Sequence, residues 1–331
     1  MAHYYKFSLL KILYTLILFQ GFFAFSMSAS IAQNYPLKPV KIVVPSAPGG
    51  GTDIIARMLA KSFTQAFGQS FYVENKPGAG NLIGIEAVAH APADGYTLLF
   101  VPSPLVLNPI LYKKVNYDPI KDFAPISLAA TAPNIFVINS SSKINNVKEW
   151  ISLAKQNSAS MSYASAGIGT SPHMSMELFN YMAGIQTLHI PYKGTTPAVT
   201  DLLGGQVNAM FSNALTAMPH IQSGKLRALA VSGSKRLNTL PNIPTVIEAG
   251  VPNYVSLQWY GLLAPAGTPK EIIQTIYIEA VKAIHSKEIR EKLASEGADP
   301  VGSSPAEFSN FIQSDYQKWA DVAKRARIEP Q

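Results

Sequence analysis

Three consecutive glycines, Gly49, Gly50 and Gly51, are followed at once by Thr52 and Asp53 and preceded by Ser46 and Pro48. Glycine removes the side chains that would keep a ligand off the backbone, so bare N–H groups become reachable. A helix opening here, with Thr52 as N-cap and Asp53 in its first turn, would add the positive end of its dipole. Such a combination can cradle an anion. It is not a P-loop, because no Lys-Ser/Thr pair follows the glycines, and it lacks the G-x-G-x-x-G spacing of a dinucleotide site. A tight turn that binds nothing is the alternative reading of the same residues.

Two later stretches repeat the device. Gly167-Ile168-Gly169-Thr170-Ser171-Pro172 opens a helix, with Ser171 as N-cap and Pro172 at the first helical position. Lys193-Gly194-Thr195-Thr196-Pro197 opens another in the same way. If two domains face each other, such helix starts can converge on one anion. Each dipole end contributes ~0.3–1 kcal/mol when exposed and up to ~2 when partly buried. Neither the first glycine turn nor the 167–172 stretch offers an arginine fork. Recognition is therefore expected from backbone N–H groups and the hydroxyls of Thr52, Thr170 and Ser171.

Catalytic constellations fail on inspection. Ser232-Gly233-Ser234-Lys235 has the S-x-x-K spacing, but the only K-T-G-like run lies upstream of it and no S-D-N intervenes. There is no G-x-S-x-G. His173 and Glu177 share a helix face without H-E-x-x-H or any cluster of metal ligands. His173 sits near a helix start, where it could donate to a carboxylate or serve structure alone. No enzyme, cofactor or metal is expected.

The elements that must position these groups alternate between strand and helix. Ile42-Val43-Val44 is a short β-branched run leading into the glycines, and Ile54, Ile55, Met58, Leu59 and Phe63 form one apolar helical face beyond them. Residues 70–74 and 96–101 are further strands, so a parallel, doubly wound sheet is expected. Ser103 lies just past the third strand's carboxyl end, where ligands of open α/β sheets gather. The pattern loosens over 118–133, and a second strand–helix series follows from 135 to 231. The apolar run at 254–263 reads as a strand returning to the first domain, with Trp259 and Tyr260 near the hinge. The tail is helical over 269–284, 287–296 and 305–326 and is expected to pack on the first domain.

The N-terminus reads as an export signal. Lys6 and Lys11 precede the apolar run Ile12 to Phe25, and Ser30-Ile31-Ala32 supplies small residues for cleavage after Ala32. A spanning helix needs about 20 apolar residues, and this run is shorter. The formal net charge is +7, with the basic residues scattered, so nucleic acid is excluded as a partner while anionic small molecules are favoured. There are no cysteines, hence no disulfides and no lipoprotein acylation site. An exported, unanchored monomer is expected.

Together these residues resemble the periplasmic substrate-binding proteins of tripartite tricarboxylate transporters, the Bug proteins. The resemblance runs through Pro48-Gly49-Gly50-Gly51-Thr52-Asp53, Glu74-Asn75-Lys76-Pro77-Gly78-Ala79-Gly80, Ala93-Asp94-Gly95-Tyr96-Thr97-Leu98, Gly169-Thr170-Ser171-Pro172-His173, Asp201-Leu202-Leu203-Gly204-Gly205-Gln206, Trp259-Tyr260-Gly261 and Leu263-Ala264-Pro265-Ala266-Gly267. It implies an α/β, two-lobed periplasmic-binding-protein (Venus-flytrap) fold, each lobe a doubly wound, mainly parallel sheet. The expected lobes are 33–132 with 256–331, and 133–255, hinged near 131–134 and 252–257. It further implies a small organic carboxylate held by the first glycine turn and the helix start at Thr170-Ser171, partly through ordered water. One large and one small integral-membrane subunit are the implied partners. A sensory protein docking a membrane receptor is the rival, and a serine hydrolase a weaker one. Ser46 and Ser212 depart from the family pattern, which favours an aromatic at the first and often an acid at the second. With Ser103, Asn213 and Trp259 they are the expected selectivity wall, suited to a plain or hydroxylated acid rather than an amino acid.

Overall fold

The computed structural model describes residues 35–330 apart from 50, 158–159, 193, 296 and 326–327. The export signal expected over 1–32 lies outside the described residues. The chain opens with β1 (Val40–Val44), α1 (Gly51–Phe67) and β2 (Phe71–Asn75). Then come α2 (Leu82–Ala89), β3 (Thr97–Pro102) and α3 (Pro104–Leu111). β1 pairs parallel with β2 on one side and β3 on the other. In the second half, β5 (Ser162–Ser165) pairs parallel with β6 (Leu188–Pro191) and with β7 (Ala209–Asn213).

What joins the two parallel units is a single long strand, β4 (Phe123–Asn139), antiparallel to all its partners. From Phe123 to Pro133 it pairs with β9 (Leu257–Pro265), which in turn pairs with β3. From Asn134 onward it pairs with β7 and with β8 (Leu226–Val231). The molecule is thus a two-lobed α/β fold on one continuous sheet. Each lobe has a three-stranded parallel core, and the crossing strands β4 and β9 run antiparallel beside it.

The stretch read as loose, 118–133, is largely strand. It carries Pro125 and Pro133 and several alanines, all poor strand formers, and two register shifts interrupt its pairing with β9. Tertiary pairing overrides local propensity here, and the bulges absorb the irregularity.

Side chains alternate across these strands as their period of two requires. Val40, Ile42 and Val44 of β1 pack with Ile55, Leu59 and Phe63 of α1 and with α8 (Lys270–Ile284). Ile135 and Val137 of β4 pack under α6 (Thr195–Leu203) and α7 (Ala214–Gln222). The opposite faces share one apolar core running through both lobes, with Phe136, Phe179 of α5 (Ser171–Ala183), Trp259 and Phe308. Phe308 belongs to α10 (Pro305–Arg325), which packs on both α3 and α5. Arg325 of α10 also reaches the Tyr181 hydroxyl of α5 at 2.5 Å. The C-terminal helix does pack on the first lobe, as expected, and also reaches the second, because this apolar face is continuous. Before it come α4 (Val147–Gln156) in the second lobe, and α9 (Lys287–Ser295) and the short β10 (Asp299–Pro300) in the tail.

Candidate functional site

A cavity of about 370 Å³ lies where the crossing strands meet the two lobes. Its floor is Ala132, Pro133 and Asn134 of β4 with Gln258 and Tyr260 of β9. The first lobe contributes Gly49 and Gly51, and the second contributes Thr195, Thr196, Asn213 and Thr216. Three helices therefore begin at this cavity: α1 at Gly51, α6 at Thr195 and α7 just after Asn213. They open at the carboxyl ends of β1, β6 and β7, where the chain must turn back over the sheet. Among the described residues no charged side chain lines the cavity. A neutral lining with three positive dipole ends can bind an anion through backbone N–H groups.

The glycine turn is held in shape by Asp53. Its Oδ2 accepts from the Gly49 N–H at 2.9 Å and from Arg57 Nε at 3.0 Å, while Asn75 Nδ2 donates to Oδ1 at 2.9 Å. Burial alone would raise the Asp53 pKa, but the Arg57 guanidinium, the Gly49 N–H and the Asn75 amide outweigh it and hold the carboxyl below its ordinary value. This is the reach-back of an acid in a helix's first turn toward an N–H before the helix. Gly49 itself has φ of 85°, a conformation that side-chain-bearing residues rarely adopt.

In the second lobe two imidazoles support the 167–170 turn from below. His173 Nδ1 accepts from the Gly169 N–H at 3.2 Å, and the His189 ring stacks on His173 with centroids 4.1 Å apart. Ser165 Oγ bridges His189 Nε2 at 2.7 Å to the Gly167 N–H at 3.1 Å. Desolvation lowers the His173 pKa to about 3, helped by His189, and that of His189 to about 4, so both rings are neutral. Beside them burial raises the Glu177 pKa, and the Tyr163 hydroxyl donates to that carboxyl. Among the described residues no group of His, Cys, Asp or Glu could hold a metal ion.

Residues 55–328 match the family model of the tripartite tricarboxylate transporter family receptor. The chain belongs to this family. Protein BugT of Bordetella pertussis is 38% identical over 295 residues, covering 88% of this chain and 90% of BugT. A Rhodopseudomonas palustris protein solved with adipate, Rpa4515, is 34% identical with a TM-score of 0.80, over 90% of this chain and 100% of its own. MatC of Rhodopseudomonas palustris, solved with bound malate, is 30% identical with a TM-score of 0.74, over 87% of this chain and 99% of its own. Family and neighbours make the chain a solute-binding receptor, not an enzyme. Ser232 of the S-x-x-K run accordingly has a structural position: it is fully buried and accepts from the Asn134 backbone N–H.

Within this receptor, Gly49, Gly51 and Asn213 line the cavity, and Pro48 is exposed in the turn beside it. Gly50 lies outside the described residues. Thr52 is the second residue of α1 rather than its N-cap, because the helix already begins at Gly51. Asp53 is buried and committed to Gly49, Arg57 and Asn75. Ser46 keeps its carbonyl on Asn75 Nδ2, and its buried Oγ has no hydrogen-bond partner among the described residues.

Several expected residues sit elsewhere. Thr170 is the N-cap of α5 and donates to the Gly167 carbonyl, which makes Ser171 a residue of the first turn instead of the cap. Ser171 Oγ accepts from Asn134 Nδ2 at 2.7 Å, behind the cavity floor. Gly169 and His173 are occupied with one another, and a side chain on Gly169 would meet Leu111 of α3 at 2.8 Å. Ser103 and Ser212 are buried outside the lining, at the N-cap of α3 and on β7. Trp259 points away from the floor: its Nε1 donates to Asp315 at 2.9 Å, and Phe308 and Phe311 pack edge-on to its ring. The period of two along β9 puts its neighbours Gln258 and Tyr260 on the cavity side instead.

Thr195 and Thr196 are in the lining and were recognised only as a helix start. Their signal was the recurrence of glycine followed by threonine. Gln258 carried no motif of its own, although strand alternation from the buried Trp259 would have found it.

Proposed function

We propose that the receptor captures a small organic carboxylate in the cavity between its lobes, in the periplasm, and delivers it to one large and one small membrane subunit of a tripartite tricarboxylate-type transporter. The observation that carries this reading is the convergence of three helix starts, from both lobes, on a cavity lined, among the described residues, by no charged side chain. Backbone N–H groups grip any carboxylate, and their summed contribution supports roughly micromolar binding, about −8 kcal/mol. The relatives solved with adipate and malate support the ligand class.

In this reading Gly49, Gly50 and Gly51 hold the ligand from the first lobe, and Thr195, Thr196 and Asn213 from the second. The moving bodies are 33–132 with 256–331, and 133–255, and the switch of β4 pairing between Pro133 and Asn134 supports that division. The chain acts as a monomer after cleavage behind Ala32, which mass spectrometry of the exported protein reads directly. A thermal-shift and calorimetry screen of mono-, di- and tricarboxylates, amino acids and aromatic acids tests the function. A carboxylate that raises the melting temperature and titrates one to one is expected. A flat screen would refute the reading. Co-purification with the two membrane subunits, dependent on that ligand, tests delivery.

A further inference from the structure

The helix starts around the cavity offer the same N–H groups to every carboxylate, so discrimination must come from side chains that face the rest of the ligand. Two other amide oxygens in the lining are out of a ligand's reach. Asn134 Oδ1 is sealed from the cavity while its Nδ2 donates to Ser171 and Ser175 at 2.7 and 3.0 Å, and Asn213 Oδ1 accepts from the Thr216 N–H at 2.9 Å. Gln258 is different. It stands on the crossing strand β9 opposite Ala132, between the glycine turn of one lobe and the helix starts of the other. Its Nε2 donates to the Tyr260 hydroxyl at 2.9 Å, and its Oε1 has no protein partner among the described residues. Tyr260 is 7% exposed and lies parallel to the Phe100 ring, 3° between planes, so the amide rests against a fixed support.

Resting on the carboxylate reading above, we propose that Gln258, positioned by Tyr260, is the specificity-determining residue and selects a carboxylate that carries a hydroxyl next to the carboxyl group. A hydroxyl satisfies the half-buried amide when the lobes enclose the ligand. A plain acid leaves it without a partner, and sites built to hydrogen-bond a hydroxyl reject analogues that lack one. An ammonium in the same place would need a carboxylate partner. Among the described residues the lining has none, and the nearby Asp53 is consumed by Gly49, Arg57 and Asn75.

Calorimetry on acid pairs that differ only in this hydroxyl tests the assignment: malate with succinate, lactate with propionate, and mandelate with phenylacetate, with aspartate as the amino counterpart of malate. The wild type should bind the hydroxy acid of the best-binding pair about tenfold or more tighter than its deoxy partner, and aspartate less well than malate. Gln258→Leu should abolish that preference by lowering hydroxy-acid affinity relative to deoxy-acid affinity, and Tyr260→Phe should reduce it. An unchanged preference in Gln258→Leu, equal weakening of both acids, or a wild type that prefers the deoxy acid or aspartate would overturn the proposal. A wild type that binds no carboxylate at all overturns the carboxylate reading itself and this assignment with it.

Discussion

The backbone N–H of Asn134 donates to the hydroxyl of Ser232 at 2.7 Å, and the Ser232 N–H returns to the Asn134 carbonyl at 2.8 Å. The same hydroxyl donates to the carbonyl of Ser256, whose N–H returns to the Ser232 carbonyl at 2.9 Å. One buried serine at the end of β8 therefore ties together both segments at which the chain crosses between lobes. It does so at the residue where β4 exchanges β9 for β7. Ser175 extends the tie to α5 through Ser256 Oγ at 2.8 Å.

Ser232→Ala should therefore loosen the hinge. It strands the Asn134 N–H in a buried site, at a cost of about 1–3 kcal/mol. Denaturant unfolding should register that loss, and ligand affinity should shift with it because opening and closing strain the same bonds. An unfolding free energy equal to the wild type's would show that the tie carries no weight.

Ligand should draw the lobes together. Small-angle scattering with the bound carboxylate is expected to give a smaller radius of gyration than without it. Gly297 offers a control, because a side chain there would meet the Cβ of Ala214 at the start of α7 at 2.7 Å, across the gap between the lobes. Gly297→Val should hold the lobes apart and weaken binding by tenfold or more. A wild-type radius that does not respond to ligand would rule closure out.

Asp53→Asn should weaken carboxylate binding about tenfold without abolishing the fold. It removes the charge that Arg57 and the Gly49 N–H share, and charge-assisted hydrogen bonds are worth about 1.5–3 kcal/mol each. Because the folded-state pKa is lowered, this carboxylate stabilises the fold above its ordinary value, near pH 4, and the contribution fades as pH falls through the folded-state value. Retained affinity with an intact glycine turn would show that Asp53 does not shape the site. Submicromolar binding of aspartate or glutamate, lost in this variant, would assign Asp53 to a ligand ammonium.

Acid should destabilise the receptor through its imidazoles. His173 and His189 stay neutral in the fold down to about pH 3 and about pH 4, whereas the unfolded chain protonates them near 6.5. Their stabilisation is complete above about pH 6.5 and declines as pH falls, by up to roughly 1.4 kcal/mol per pH unit for each ring. Glu177, with its raised pKa, acts in the opposite sense, so the comparison must be between variant and wild type. His173→Asn, which can still accept from the Gly169 N–H, should flatten the stability profile between pH 4 and 6. A profile parallel to the wild type's would mean that His173 does not titrate on unfolding.

The local code of this receptor is read along the chain. Glycines before a Thr or Ser mark helix starts, β-branched runs of four to six residues mark buried strands, and the motifs in order identify the family. Those features depend on neighbours within a few residues, and sequence carries them directly. The cavity depends on which helix starts meet across two lobes. The turn at 167–172 and the turn at 193–197 look alike as sequence, yet only the second opens α6 into the lining. The first is drawn down by His173 and packed against Leu111. The 17-residue strand that joins the lobes is invisible locally, since its prolines and alanines are tolerated only because β9 pairs with it. Trp259 and Gln258 differ by one residue, and the side of the sheet each faces is set by cross-strand register, which belongs to the assembled fold.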